Sequence, residues 1–311
     1  MTLRWQPPSD ELTGPSAPAR IAALASGLTL RPFGSVLPPV GPGVWVARRT
    51  IAGVMWAGGG RAGGARSERV DTRTPGGDRV IGEWVTARSA ATPRGLVSRL
   101  SAHTGLPVFT SEYRLAPRHR FPTAATDVRA AWDLLRAGGL SADQIVVAGD
   151  SAGGHLAVDL TLDLLRAGEA PPAALALFSP LIDLSLELGT ARDRVRRDPF
   201  VSAGTARRMV GRYTRGVDPA HPRLALRLDE FAGFPPTLIQ AGGAEMFTAD
   251  AEYLAGRLTA AGGEIHLQIW PGQVHVFQAL PRLSGQADPA LHQAAAFLAA
   301  AVTECQISEA S

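Results

Sequence analysis

Hydrophobic and polar positions divide the chain into two unlike parts. Up to about residue 65 the apolar stretches are few and widely spaced. Ala19 to Leu30 is Ala- and Leu-rich with a helical period, and Val44 to Trp56 carries a second apolar segment. Pro38-Pro39-Val40-Gly41-Pro42-Gly43 lies between them and breaks any helix. The run Gly58-Gly59-Gly60-Arg61-Ala62-Gly63-Gly64 reads as a flexible connector. It lacks the Lys-Ser/Thr ending of a phosphate loop, so a nucleotide site there is rejected.

From Glu68 onward the pattern alternates. Glu68–Arg73 and Arg79–Thr86 predict a hairpin around Pro75-Gly76-Gly77-Asp78. Helices are expected at Pro93–His103, Thr123–Leu135, Ala152–Arg166, Ala249–Ala260 and Leu291–Val302. Strands are expected at Pro107–Tyr113, Gln144–Ala148, Ala173–Phe178, Thr237–Ala241 and Glu264–Trp270. Short strands alternating with helices imply an α/β fold, a mostly parallel central sheet covered on both faces. The segment from about 184 to 231 interrupts the alternation and is read as a cap insertion. The expected organisation is a helical cap segment, 1–65, and an α/β core, 66–311.

Composition narrows the function classes. The 311 residues are 45% hydrophobic and 19% charged, an ordinary globular balance. No apolar run is long enough to span a bilayer. Met1 to Pro18 lacks the apolar core of a signal peptide, which predicts a cytoplasmic protein. Cys305 is the only cysteine, which excludes an intrachain disulfide and a thiolate metal cluster. The net charge of +3 invites a nucleic-acid reading. Yet every basic side chain except histidine is arginine, scattered among acids with only short clusters such as Arg192–Arg197, which suits a solvated surface better.

The most informative segment is Gly149-Asp150-Ser151-Ala152-Gly153, which fits G-x-S-x-G between a predicted strand and a predicted helix. That setting lifts a serine Oγ above the edge of a sheet. The alternative is a Gly-rich turn with a capping serine. A serine hydroxyl needs a base, and among seven histidines His275 stands out. It follows Trp270-Pro271-Gly272, a loop leaving a strand at the sheet's C-terminal edge. His155, one helical turn past Ser151, reads as packing along its helix. The base needs an acid, expected between serine and histidine in the chain. Glu245, just after the strand Thr237–Ala241, fits that order. Asp250 is the rival, read as a helix cap, and Asp183 a third choice.

Four blocks together resemble the hormone-sensitive-lipase-like family of bacterial esterases and acetyl-hydrolases, within the α/β-hydrolases. They are Glu112-Tyr113-Arg114-Leu115-Ala116-Pro117, Phe121-Pro122-Thr123-Ala124, Gly149-Asp150-Ser151-Ala152-Gly153-Gly154 and Pro271-Gly272-Gln273-Val274-His275-Val276-Phe277. The resemblance implies an α/β-hydrolase fold with a helical cap, no cofactor and no metal. It also implies hydrolysis of short-chain acyl esters, or removal of acetyl groups in a biosynthetic pathway. A small acylated molecule is then the expected partner, with no nucleic acid and no membrane; a homodimer is compatible with the sequence.

One block of that family is missing. Its His-Gly-Gly-Gly loop supplies half of the oxyanion hole from backbone N–H groups. Here Arg79–Thr86 runs into Ala87-Arg88-Ser89-Ala90-Ala91-Thr92 and at once into the Pro93 helix. The expectation is the loss of one central strand together with its oxyanion loop. Ala152 and Gly153 N–H would remain as donors. Gly58-Gly59-Gly60 and Pro75-Gly76-Gly77 are poor substitutes, the first too far upstream and the second a hairpin turn. An active esterase with Ser151, Glu245 and His275 is the leading expectation; the alternative is an impaired, ligand-binding relative.

Overall fold

The computed structural model describes Gly53 and residues 65–87, 95–228 and 232–309. The expected N-terminal helices, the Gly58–Gly64 run and most of Ala87–Thr92 lie outside these residues.

β1 (Ala65–Arg73) and β2 (Arg79–Ala87) form the expected hairpin, paired in antiparallel register from Ala65 opposite Ala87 to Arg73 opposite Arg79. Its turn is held by Thr74 and Asp78, with Gly77 at φ 92°, where a side chain would be strained. α1 (Gly95–Thr104) follows, then β3 (Val108–Ser111), which pairs antiparallel with β2. The Tyr113-Arg114 block leaving β3 is tied to α2 (Thr123–Ala137): Arg114 donates its backbone N–H and its guanidinium to Asp127 at 2.7 to 3.2 Å.

The second sheet is parallel: β4 (Val146–Asp150), β5 (Ala174–Phe178), β6 (Thr237–Gly242) and β7 (Ile265–Trp270), in that spatial order. α3 (Ala152–Arg166) joins β4 to β5, and α7 (Thr248–Ala260) joins β6 to β7. Between β5 and β6 the interruption contains α4 (Glu187–Val195), α5 (Ala203–Tyr213) and the short α6 (Pro222–Ala225). α8 (Ala287–Glu309) closes the described chain.

β5 shows how the core is assembled. Successive side chains of a strand alternate between faces. Leu175 and Leu177 pack with α3 and α7 through Val158, Leu162, Leu254 and Leu258. Ala174, Ala176 and Phe178 face α8 and α1 through Leu291, Leu298 and Leu100. Each fully buried leucine contributes about 1.5–3 kcal/mol, so β5 is the strand on which both faces of the core close.

The sheet is in two pieces. Among the described residues no strand pairs with the outer edge of β3 or of β4. The exposure of β4 fits that: Ala148 and Asp150 are exposed, whereas all of β5, which has a partner on each side, is buried. A strand lost between β3 and β4 would leave this arrangement, as the missing block predicts.

Candidate active site

The turn from β4 into α3 has the geometry of a nucleophile elbow. Ser151 sits at φ 51°, ψ −117°, outside the regions that side chains favour. The turn survives because its neighbours lack side chains. A Cβ on Gly149 would lie 2.4 Å from the Gly153 carbonyl oxygen, and one on Gly154 would lie 2.7 Å from Pro180 Cβ. Backbone bonds then lock it: Ser151 N–H donates to Phe178 C=O, and Ser151 C=O accepts from Gly154 and Leu181 N–H, all at 3.0 Å.

His275 lies on the loop after β7, and Glu245 in the turn after β6. These two loops touch where Gly242 allows it. A Cβ there would come within 2.3 Å of the Gln273 carbonyl oxygen. Ala244 N–H donates to that same carbonyl at 3.0 Å. The sequence pair Gly242-Gly243 is thus what lets the acid turn reach the histidine loop.

The three predicted residues meet. His275 Nε2 is 2.9 Å from Ser151 Oγ, and His275 Nδ1 is 2.5 Å from Glu245 Oε2. Glu245 is fully buried and His275 nearly so. Burial pulls the His275 pKa down, but attraction and hydrogen bonding by Glu245, with help from Asp198 and Asp150, hold it above the ordinary histidine value. Phe247 packs on the imidazole, ring centroids 4.9 Å apart.

The rival acids are engaged elsewhere. Asp250 is buried, and it does not cap its own helix as its position suggests: its Oδ1 accepts the N–H groups of Ile182 and Asp183 across the fold, both at 2.8 Å. Burial pushes its carboxyl up to about 7. Asp183 accepts from Ser185 and from Leu188 N–H at the start of α4. His155 is buried along α3, its Nε2 3.1 Å from the Arg223 carbonyl oxygen, as its helical position suggests.

Two residues escaped the sequence reading. Ser179, directly after β5, donates its hydroxyl to Glu245 Oε1 at 2.7 Å. Asp198, in the insertion, is fully buried beside Glu245 and accepts N–H bonds from Phe200, Val201 and Met246 at 2.7 to 3.0 Å. Burial, only partly offset by those bonds, pushes its pKa up to about 6. A Ser-Pro pair after a strand and an Asp-Pro pair in an insertion carry no signal that would single them out.

The oxyanion side is less furnished. Ala152 and Gly153 open α3, where first-turn N–H groups have no intrahelical acceptor. Pro75-Gly76-Gly77 is confirmed as a hairpin turn, bonded within itself through Gly77 N–H to Thr74 C=O. Gly58-Gly59-Gly60 lies outside the described residues.

With this geometry in place, the comparisons with known proteins agree. A family model described as alpha/beta hydrolase fold matches residues 82–279. The carboxylesterase/phospholipase LipF of Mycobacterium tuberculosis is 33% identical, covering 98% of this chain and 88% of its own. That alignment runs over 348 positions against 311 residues here, so LipF carries positions that this chain lacks. An acetyl-hydrolase of Streptomyces hygroscopicus is 34% identical over 77% of this chain and 79% of its own. The solved structure of an esterase from the bacterial hormone-sensitive lipase family superposes with a TM-score of 0.79 at 25% identity, covering 93% of this chain and 99% of that one. Among the described residues no helix is long and apolar enough to cross a membrane. The chain belongs to the α/β-hydrolase family and, within it, to the hormone-sensitive-lipase-like carboxylic ester hydrolases.

Proposed function

We propose that the protein hydrolyses short-chain acyl esters, acetyl groups foremost, through Ser151, His275 and Glu245. The observation that carries this reading is the continuous hydrogen-bond chain from Ser151 Oγ through both imidazole nitrogens to a buried carboxylate. Each contact matches what the chemistry requires. His275 Nε2 takes the Ser151 proton as Oγ attacks the acyl carbonyl, and Glu245 stabilises the imidazolium that forms. The same imidazole then protonates the leaving alcohol. In the second half it activates water against the acyl-enzyme, releasing the acid and restoring Ser151. Ala152 N–H, with Gly153 N–H beside it at the start of α3, would receive the developing oxyanion.

An acetyl-type substrate is supported by the relatives, an acetyl-hydrolase among them. The reading extends to removal of O- or N-acetyl groups from a biosynthetic intermediate, since the same acyl-enzyme serves both. Losing an oxyanion donor costs on the order of 10²–10³ in turnover, so a slow esterase is expected. A second reading, a ligand-binding relative with little turnover, is favoured by one specific observation: the open outer edge of β4 beside the nucleophile.

A fluorophosphonate probe separates the two. Stoichiometric labelling of wild type, absent in Ser151→Ala, supports the hydrolase; no labelling of the folded wild type supports the binding relative.

A further inference from the structure

We infer that Ser179 is a positioning residue that clamps the acid and the base of the triad together; this rests on the triad proposed above. Ser179 is wholly buried and lies at the C-terminal end of β5, the strand between those that lead to Ser151 and to Glu245. Its backbone is fixed by donation of its N–H to Gln240 C=O at 2.7 Å. Its hydroxyl makes two bonds of opposite sense. It donates to Glu245 Oε1 at 2.7 Å and accepts the backbone N–H of Val276 at 3.0 Å. Val276 is the residue after His275, so one hydroxyl touches both loops that bring the acid–base pair together.

The bonding pattern assigns each carboxylate oxygen a task. Oε1 is occupied by two donors, the Ser179 hydroxyl and the Gly242 N–H at 2.6 Å. Oε2 is thereby left to His275 Nδ1. With Oε1 held on the far side, the carboxylate plane cannot swing without breaking two bonds. The Val276 bond fixes the histidine loop relative to the same point, at a residue whose own φ of 50° is unfavourable for a β-branched side chain. Ser179 is itself at φ 49°. Two strained side-chain-bearing residues joined by one hydrogen bond argue that the arrangement is selected for the placement it gives, because strain of this kind persists only where surroundings over-determine it. Buried as it is, the hydroxyl uses its one proton on Glu245 and one of its lone pairs on Val276 N–H.

The hydroxyl also acts on the electrostatics. Donation to Oε1 spreads the Glu245 charge away from the imidazole. Without it the carboxylate attracts the imidazolium more strongly, while the pair is less firmly aligned.

The test uses Ser179→Ala and Ser179→Gly in the full chain, the glycine variant because it accepts positive φ without strain. Kinetics with p-nitrophenyl acetate and butyrate are measured across pH, alongside thermal unfolding. The expected result is a fall in kcat of about 10- to 100-fold, the scale of one charge-assisted hydrogen bond. KM should stay within about twofold, the acid limb should move to higher pH, and both variants should remain folded. A folded Ser179→Gly with wild-type kcat and an unmoved acid limb would overturn the inference while leaving the triad intact. If wild type shows no Ser151-dependent turnover, the triad reading itself fails, and this inference with it. Should Ser179→Ala not fold, the glycine variant decides.

Discussion

The two sides of Ser151 are built to different standards. On the side of β5, β6 and β7 lie Glu245 and Ser179, wholly buried, and His275, nearly so, with Glu245 bonded through both of its oxygens. On the other side, among the described residues, β4 ends the parallel sheet, with Ala148 and Asp150 exposed and the first N–H groups of α3 beside Ser151. The difference teaches that the acid–base half draws its order from strands paired on both sides, which the described edge of β4 does not have. Its strands pair among themselves, and its apolar contacts close across β5, α3, α7, α8 and α1. On the proposed mechanism, proton transfer draws on the first side and oxyanion stabilisation on the second, so the two can be tested separately.

The contrast can be pressed from both sides. Glu245→Gln keeps the shape but fixes the wrong imidazole tautomer, and kcat should fall by about 10⁴, as in other triads. Stability should be as lopsided as structure. Leu177→Ala, on the strand buried from both faces, should cost about 2–5 kcal/mol. Ala148→Ser, on the open strand, should stay within about 0.5 kcal/mol, both read by urea denaturation. Equal costs would contradict an open β4 edge. Gly242→Ala pushes a methyl against the Gln273 carbonyl and separates the acid turn from the histidine loop. A misplacement of that kind can cost about 10²-fold in turnover.

The smallest effect expected is on pH. His275 works as a neutral base, and its pKa is held above the ordinary value of 6.5. Activity is thus present above that raised pKa and lost as pH falls through it, so the acid limb of kcat/KM should lie above 6.5. Asp150 contributes to the raising from the open side, so Asp150→Asn should move the limb to slightly lower pH. A limb that does not respond would contradict a contribution of Asp150 to the charge of His275.

The sequence made part of this legible, for physical reasons. Ser151, Glu245 and His275 each follow a strand at the same sheet edge, and strand alternation is a strong local signal, so their convergence could be read in advance. The break between β3 and β4 was foreshadowed by a block that is simply absent. Ser179 and Asp198 were not legible because their importance comes from partners 66 and 48 residues away, Glu245 and Met246. Asp250 is illegible for the same reason: a carboxylate in a first helical turn looks like a cap, yet tertiary contact with Ile182 and Asp183 claims it.

The central claim is that Ser151 turns over esters although the family's oxyanion loop has no counterpart in the sequence. Its most direct test is hydrolysis of a p-nitrophenyl acetate-to-octanoate series by purified wild type and Ser151→Ala. Slow but measurable turnover, strongest on the short chains and abolished in Ser151→Ala, is the predicted result. Equal, background-level rates in the two folded proteins would contradict it.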